Sequence, residues 1–356
     1  MINISESDKL INLYEIKLIS ILILILVFFI VINNNPIKNN EISSEKERLF
    51  LYKKDNNSSI TIGKKKIDIA MAIDNNGIFV TLISIVSALE NNNKKKNVLI
   101  YHLLLSHDFN MEKIKYFESL KEKYDFLINY YRIPNIFNET KKWRNSSVIY
   151  YKLLIPLIFF DYERIIFLDY DTLVFQDIYE MFNQPFNDNY ALGYPFNSPL
   201  MKSMKNDGEI KSISVGVMLM NINKIRKDDK DLELIKYTLQ NSNKIIYPEQ
   251  DALNYIFRNK IGLLPLKYGI VLYGNIHLFK EKYSHQLRLK LDLQELEKAM
   301  NEPSIVHLSF CNPKIWVKKS KHEYQYNQIC EKYNKYFYFY ANKTKYYDEI
   351  YNKYMK

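Results

Sequence analysis

The sequence predicts an α/β domain with a mostly parallel central sheet flanked by helices, and three observations carry that prediction. Short, β-branched apolar runs at Ile67–Ile73, Val98–Leu105, Phe126–Ile133 and Ile165–Leu168 read as strands buried on both faces. Segments with apolar residues near helical spacing lie between them, as in Ile78–Leu89 and Met111–Tyr124. Strand–helix alternation of this kind is the pattern of a parallel sheet. The composition allows the core such a sheet needs, since 47% of the 356 residues are hydrophobic against 25% charged.

Taken in order, residues 1–15 are a short polar tail, and Leu18 to Ile32 is an unbroken apolar run that Ile16 and Lys17 extend. A cleaved signal peptide has the right length here, but NNNPIKNN follows without a small-x-small cleavage pattern. The expectation is a signal anchor over residues 16–32, hence a single-pass membrane protein, of Golgi or ER type II topology if the source is eukaryotic. Lysines and arginines flank the run on both sides and leave its orientation open. Residues 33–66 are polar and aperiodic, a stem or linker, and residues 67–317 form the predicted folded domain. Within it Ser146–Phe160 reads as helix interrupted at Pro156. Tyr190–Tyr194, Ile213–Asn221 and Ser304–Ser309 read as strands, and Asp231–Leu239 and Pro248–Phe257 as helices. Residues 318–356 are a Tyr/Lys-rich tail, either amphipathic on a membrane surface or a solvated helix packed on the domain.

The net charge of +10 suits an anionic partner. The lysines look scattered, and no zinc-finger spacing or RNA-binding aromatic signature occurs, so nucleic acid is not the expected partner. Cys311 and Cys330 make no framework; they can pair, but two free thiols are the expectation.

The chemistry concentrates in Arg164–Phe182, RIIFLDYDTLVFQDIYEMF. Asp169 and Asp171 come directly after a buried strand, where open α/β sheets bind their ligands. Residues i and i+2 share a side, so both carboxylates can reach one hard divalent cation. A bare Asp-x-Asp is common in loops that bind nothing, but two unpaired acids beside a buried strand repel unless something positive lies between them. Asp177 can cap a helix over Ile178–Phe182.

Five segments in order, IDIAMAIDNNG, YYKLLIPLIF, IIFLDYDTLV, SVGVMLMN with EQDALN, and IVHLSFCNPKIW, resemble glycosyltransferase family 8 from about Ile67 to Trp316. That family includes glycogenin and the bacterial galactosyl- and glucosyltransferases of lipopolysaccharide cores. The resemblance implies a GT-A fold and metal-dependent, retaining transfer of glucose or galactose from a UDP-sugar to a glycan, glycolipid or glycoprotein acceptor. By position it implies that Ala72, Asp74 and Asn76 hold the uracil and ribose, with Tyr170 touching the ribose. It makes Asp169, Asp171 and His307 ligands of a manganese or magnesium ion, with Lys314 on the diphosphate. It puts Gln250 by the anomeric carbon and Glu249 on sugar hydroxyls, and leaves Asp251 as the nearby carboxylate to test as a nucleophile. Helix capping is the bland alternative for this acid-rich helix start. The sequence departs from the family at Gly77, usually aromatic; at Lys152, usually arginine; at Ser214, usually asparagine; and at Phe310 and Ile315 in the last motif. Two rival readings are a haloacid-dehalogenase-like phosphatase, from FLDYDTLV, and a non-catalytic relative that binds sugar nucleotide without turnover.

Overall fold

The computed structural model describes residues 50–356 except 56, 143–145, 197–211, 245, 272–292, 310, 312–313, 315, 317–327 and 356. Eleven strands form two sheets among these residues. They are β1 (Leu51–Lys53), β2 (Lys65–Ile73), β3 (Asn97–Leu105), β4 (Leu127–Arg132), β5 (Arg164–Leu168), β6 (Thr172–Val174), β7 (Ala191–Pro195), β8 (Ile213–Asn221), β9 (Ile261–Leu263), β10 (Tyr268–Val271) and β11 (Ile305–His307). The large sheet runs β1-β4-β3-β2-β5-β8-β7-β9 and the small one β10-β11-β6.

The four central strands, β4-β3-β2-β5, are parallel, as predicted. Antiparallel pairs join β1 to β4 at one side and β5 to β8 to β7 at the other. Alternation in β2 sorts its side chains. Ile67, Ile69, Met71 and Ile73 enter one core cluster with helix α1 (Ile78–Asn91), while Ala70 and Ala72 enter the opposite one. Each fully buried branched side chain contributes about 1.5–3 kcal/mol.

Helix α1 is buried along nearly its whole length, including Thr81, Ser84 and Ser87. These hydroxyls are spent locally and on β6. Ser84 Oγ meets Thr172 Oγ1 at 3.0 Å, and the Val174 N–H donates to Ser87 Oγ at 2.9 Å. Asn91 Nδ2 donates to the Val174 carbonyl at 3.0 Å. Helix side chains thus serve the edge of β6 that β11 does not pair.

The predicted helix at Met111–Tyr124 is a chain of single turns, Met111–Ile114, Lys115–Glu118 and Ser119–Glu122. Ser146–Phe160 is a 3₁₀ run at Val148–Leu154 followed by an α-turn at Ile155–Ile158, with Pro156 in that first turn. Helices Ile222–Lys227 (α2), Lys230–Asn241 (α3) and Pro248–Phe257 (α4) pack with the second cluster.

Three expectations are corrected here. The predicted stem does not extend to residue 66: β1 lies within it and pairs with β4, and β2 begins at Lys65. Polar composition hid β1 because an edge strand buries little. The two cysteines are not free thiols; Cys311 and Cys330 form a disulfide, brought together when the C-terminal segment folds back on the domain. Of the tail's two readings, the structure agrees with the helix packed on the domain. After Leu293–Asn301 (α5), helices Gln328–Ala341 (α6) and Tyr347–Met355 (α7) bury Tyr333, Phe337, Tyr340 and Ile350 in the main core. Finally, the single-pass membrane protein, with its Golgi/ER localisation, is not supported: among the described residues no helix is long and apolar enough to cross a membrane. The longest, α1 and α6, have 14 residues, about 21 Å at 1.5 Å each against a hydrocarbon core of about 30 Å. The anchor expected at residues 16–32 lies outside the described residues.

Candidate active site

Strand β5 delivers Asp169 to the carboxyl edge of the parallel strands, and backbone bonds fix the turn from Asp169 to Asp171. The Asp169 N–H donates to the Gly216 carbonyl of β8 at 2.7 Å, and the Leu308 N–H donates to the Asp171 carbonyl at 2.9 Å. Residues 169–171 are thereby strapped between the two sheets. His307, opposite Thr172 in the β11–β6 register, comes in from the small sheet.

The side chains converge. His307 Nε2 lies 3.2 Å from Asp171 Oδ1 and 3.5 Å from Asp169 Oδ2. One donor atom from each of the three lies within 4.8 Å of the others. Two lysines flank them. Lys152 Nζ, 2% exposed, donates to Asp169 Oδ1 at 2.9 Å and to the Val215 carbonyl at 3.4 Å. Lys314 Nζ donates to Asp171 Oδ2 at 2.6 Å and to the carbonyls of Leu308 and Ser309 at 2.9 and 3.1 Å. Burial by itself raises the Asp171 carboxyl, but the Lys314 ammonium and then the His307 ring outweigh it and hold it well below the usual carboxylate range.

The donor set fits a divalent cation. Two carboxylates and an imidazole are the hard oxygen and nitrogen ligands that manganese or magnesium takes. The ring nitrogen of His307 turned to both acids is Nε2, while its buried Nδ1 has no hydrogen-bond partner among the described residues. The backbone also makes room. A Cβ on Gly216 would stand 2.1 Å from His307 Cε1 and 2.7 Å from Asp169 Oδ2, so the ring and the acid can approach β8 only over a glycine.

The other predicted residues ring this cluster. Asp74 follows β2, the strand beside β5, with Ala72 buried just before it. Its Oδ1 accepts from the N–H groups of Asn76 and Gly77 at 2.9 and 3.2 Å, and its Oδ2 from Ser146 Oγ at 3.0 Å. Gly77 faces Tyr170: a Cβ there would meet Tyr170 Cγ at 3.6 Å. The site thus carries an aromatic ring from Tyr170 beside the position where the sequence lacks one. Ser214 is buried on β8. Gln250 lies under it, with Oε1 accepting from the Val215 N–H at 3.3 Å. Glu249 is partly buried; burial pushes its carboxyl up, against the pull of Lys152. Asp251 is fully buried and Oδ2 accepts from the Tyr247 N–H at 3.0 Å, a bond at the start of α4. Phe310 and Ile315 lie outside the described residues.

Three contributors escaped the sequence reading. Gly216 was visible as a glycine inside an apolar strand, a sign of close backbone approach. Asn254, one helical turn after Gln250, clamps both backbone groups of Ile213 at 2.8 and 2.9 Å and so fixes β8 to α4. Ser146 on Asp74 had no sequence signal.

A family model, Glycosyl transferase family 8, matches residues 68–320. A curated relative, lipopolysaccharide 1,2-glucosyltransferase of Escherichia coli, is 29% identical over 238 residues, 62% of this chain and 67% of that protein. Among solved structures, the galactosyltransferase LgtC, crystallised with donor and acceptor sugar analogues, aligns with a TM-score of 0.59 and 16% identity over 78% of this chain and 96% of its own. The bifunctional glycosyltransferase WbbM aligns with a TM-score of 0.63 and 16% identity over 83% of this chain, which spans about half (53%) of the WbbM chain. At that identity the two structures speak for the fold alone. Neither the phosphatase nor the non-catalytic alternative is favoured by these matches. The family match runs through every strand from β2 to β11, and on that ground the chain belongs to glycosyltransferase family 8, a glycosyltransferase of GT-A fold.

Proposed function

We propose that the protein transfers a hexose, glucose or galactose, from a UDP-sugar to a glycan, glycolipid or glycoprotein acceptor with retention of anomeric configuration, and that it needs a divalent cation. The observation that carries this reading is the convergence of Asp169, Asp171 and His307 within 4.8 Å at the carboxyl edge of the sheet. Manganese or magnesium held by these three would supply Lewis-acid stabilisation of the departing diphosphate.

The chain's own groups do the rest. Lys314 brings a second positive charge to the diphosphate side, and its two carbonyl contacts hold it there. Lys152, locked between Asp169 and Val215, orients the first acid from beneath. Ala72, Asp74, Asn76 and Tyr170 bind the nucleoside, Asp74 presetting the turn that carries Asn76. Ser214, Glu249 and Gln250 contact the sugar, Glu249 from a position where burial raises its carboxyl against the pull of Lys152. Asp251, buried and bonded to its own helix start, is a poor nucleophile. With Gln250 equally poor, a same-face displacement supports retention better than a covalent intermediate does.

The test is a UDP-sugar panel with the full chain, read as UDP released with and without manganese. Manganese-dependent turnover of UDP-glucose or UDP-galactose that disappears in Asp169→Asn is the expected result. UDP-sugar binding with no turnover under any condition would favour the non-catalytic reading.

A further inference from the structure

Lys314 is held by more than its own side chain. Its Nζ donates to Asp171 Oδ2 at 2.6 Å and to the carbonyls of Leu308 and Ser309 at 2.9 and 3.1 Å. The Leu308 carbonyl accepts a second bond, from the Cys311 N–H at 3.2 Å. Cys311 therefore belongs to the turn that supplies the two carbonyls. That turn is itself tied to the metal ligands, since the Leu308 N–H donates to the Asp171 carbonyl at 2.9 Å.

Helix α6 takes hold on both sides of Lys314. Before it, Cys311 is bonded to Cys330 in the first turn of α6, and both cysteines are buried. After it, the Trp316 ring stacks on Phe337 of α6, with centroids 5.6 Å apart and 23° between the planes. The Lys314 ammonium lies 5.5 Å from the centroid of that same Trp316 ring. Cys330 and Phe337 are seven residues apart and share one face of the helix.

The helix has its own means of docking. Tyr333, Phe337, Tyr340 and Ala341 bury it in the main core, and the Phe175 ring, just after β6, lies 5.8 Å from the Tyr333 ring. The Asn91 amide that serves the Val174 carbonyl also donates to the Tyr340 hydroxyl at 2.9 Å. Helix α6 is thus fixed to β6, the strand that pairs with β11 and His307. What the disulfide and the ring pair add is a hold on the segment that carries Lys314.

We propose that Cys311, Cys330, Trp316 and Phe337 are positioning residues that fix the Lys314 ammonium at the diphosphate before the nucleotide arrives. The inference rests on the diphosphate role of Lys314 given above. A lysine on an untethered segment loses backbone and side-chain freedom each time it meets a nucleotide, and one already held does not. Preorganisation of this kind is read as affinity. A tie that served only to stabilise the C-terminal helices would weaken folding and leave the nucleotide affinity of the folded protein unchanged.

The experiment is calorimetric titration of UDP, with manganese present, into the full chain as wild type, Cys311→Ser/Cys330→Ser, Lys314→Ala and the variant with all three substitutions. Lys314→Ala should bind UDP about tenfold more weakly, for the loss of a charge-assisted contact. The cysteine variant should lose about fivefold, for the ordering of one long side chain and its segment. The three-substitution variant should stay within about twofold of Lys314→Ala, because without the ammonium the tie has nothing left to place. Wild-type affinity in the cysteine variant would overturn the proposal. So would a three-substitution variant weaker than Lys314→Ala by the factor that separates the cysteine variant from wild type. Unchanged affinity in Lys314→Ala is a different failure: it takes Lys314 off the diphosphate, and the proposal falls with that reading. Should the cysteine variant not fold, Phe337→Leu replaces it, opening the ring pair and keeping the disulfide. A loss of about threefold that disappears in the Lys314→Ala background is then the expected result, and no loss is the contrary one.

Discussion

The two ends of the central sheet handle charge in opposite ways. At the carboxyl edge Asp169 and Asp171 are each matched by one lysine, Lys152 and Lys314, and His307 stands between them. At the amino edge Lys65, Lys95, Lys96 and Lys267 outnumber the acids Asp177 and Glu180, and those acids are already bonded. The first arrangement is costly to assemble, because it desolvates charges, and it makes sense where a ligand exchanges with them. The second costs little, because its lysines stay in water, and it attracts anions without ordering itself. The same lysine-rich composition thus yields a constructed centre at one end and a solvated field at the other.

The largest effect that would break this contrast lies in the acids. Asp169→Asn should lower transfer on the order of a hundredfold or more, because a bound cation's charge stabilisation is worth several kcal/mol, and should lower the melting temperature modestly, because it takes the charge but not the acceptor from the buried Lys152. Asp171→Ala should do both, with the larger fall in melting temperature: it strands the nearly buried Lys314 and His307, and breaking a buried pair costs about 3–5 kcal/mol. Paired measurements of turnover and thermal unfolding separate the two acids; equal destabilisation by both variants would erase the distinction.

Next comes the tie between the donor edge and the C-terminal helices. Cys330→Ser opens a link spanning 19 residues and should cost about 2–4 kcal/mol, read from urea unfolding. Two glycines sharpen the comparison at smaller scale. Gly216→Ala drives a methyl into His307, so about 1–3 kcal/mol of overpacking should come with weaker manganese binding. Gly63→Ala, at the amino edge, meets no atom within 4 Å but sits at φ +70°. It should cost about 1–2 kcal/mol of backbone strain and leave manganese binding unchanged.

The smallest effect concerns Glu249. Burial raises its carboxyl above the ordinary value near 4.5, so the folded protein keeps a proton that the unfolded chain has released. Stability from this group therefore declines as pH rises from about 4.5 through the higher folded value. Glu249→Gln should flatten that part of the curve of melting temperature against pH; an unchanged slope would show that Glu249 is not the group responsible.

The sequence made the sheet readable because β2, β3, β4, β5 and β8 are long apolar runs with the right period. The acid pair was readable for the same reason, since the strand before it was unmistakable. His307, Lys314, Gln250 and Lys152 were placed by family resemblance, and the structure brings Lys152, Lys314 and His307 onto the acids. The features that stayed hidden depend on contacts between distant segments. The Cys311–Cys330 bond needs the tail to fold back, β1 needs β4 beside it, and the lysine triplets Lys64–Lys66 and Lys94–Lys96 become one patch only through strand register. The breaks in the Met111–Tyr124 helix had no proline or glycine to announce them.

The most direct test of the central claim is calorimetric titration of UDP into the full chain with and without manganese, in wild type and Asp169→Asn. The account predicts UDP binding that requires manganese and is lost in the variant. UDP binding of equal strength without manganese, or in Asp169→Asn, would contradict it.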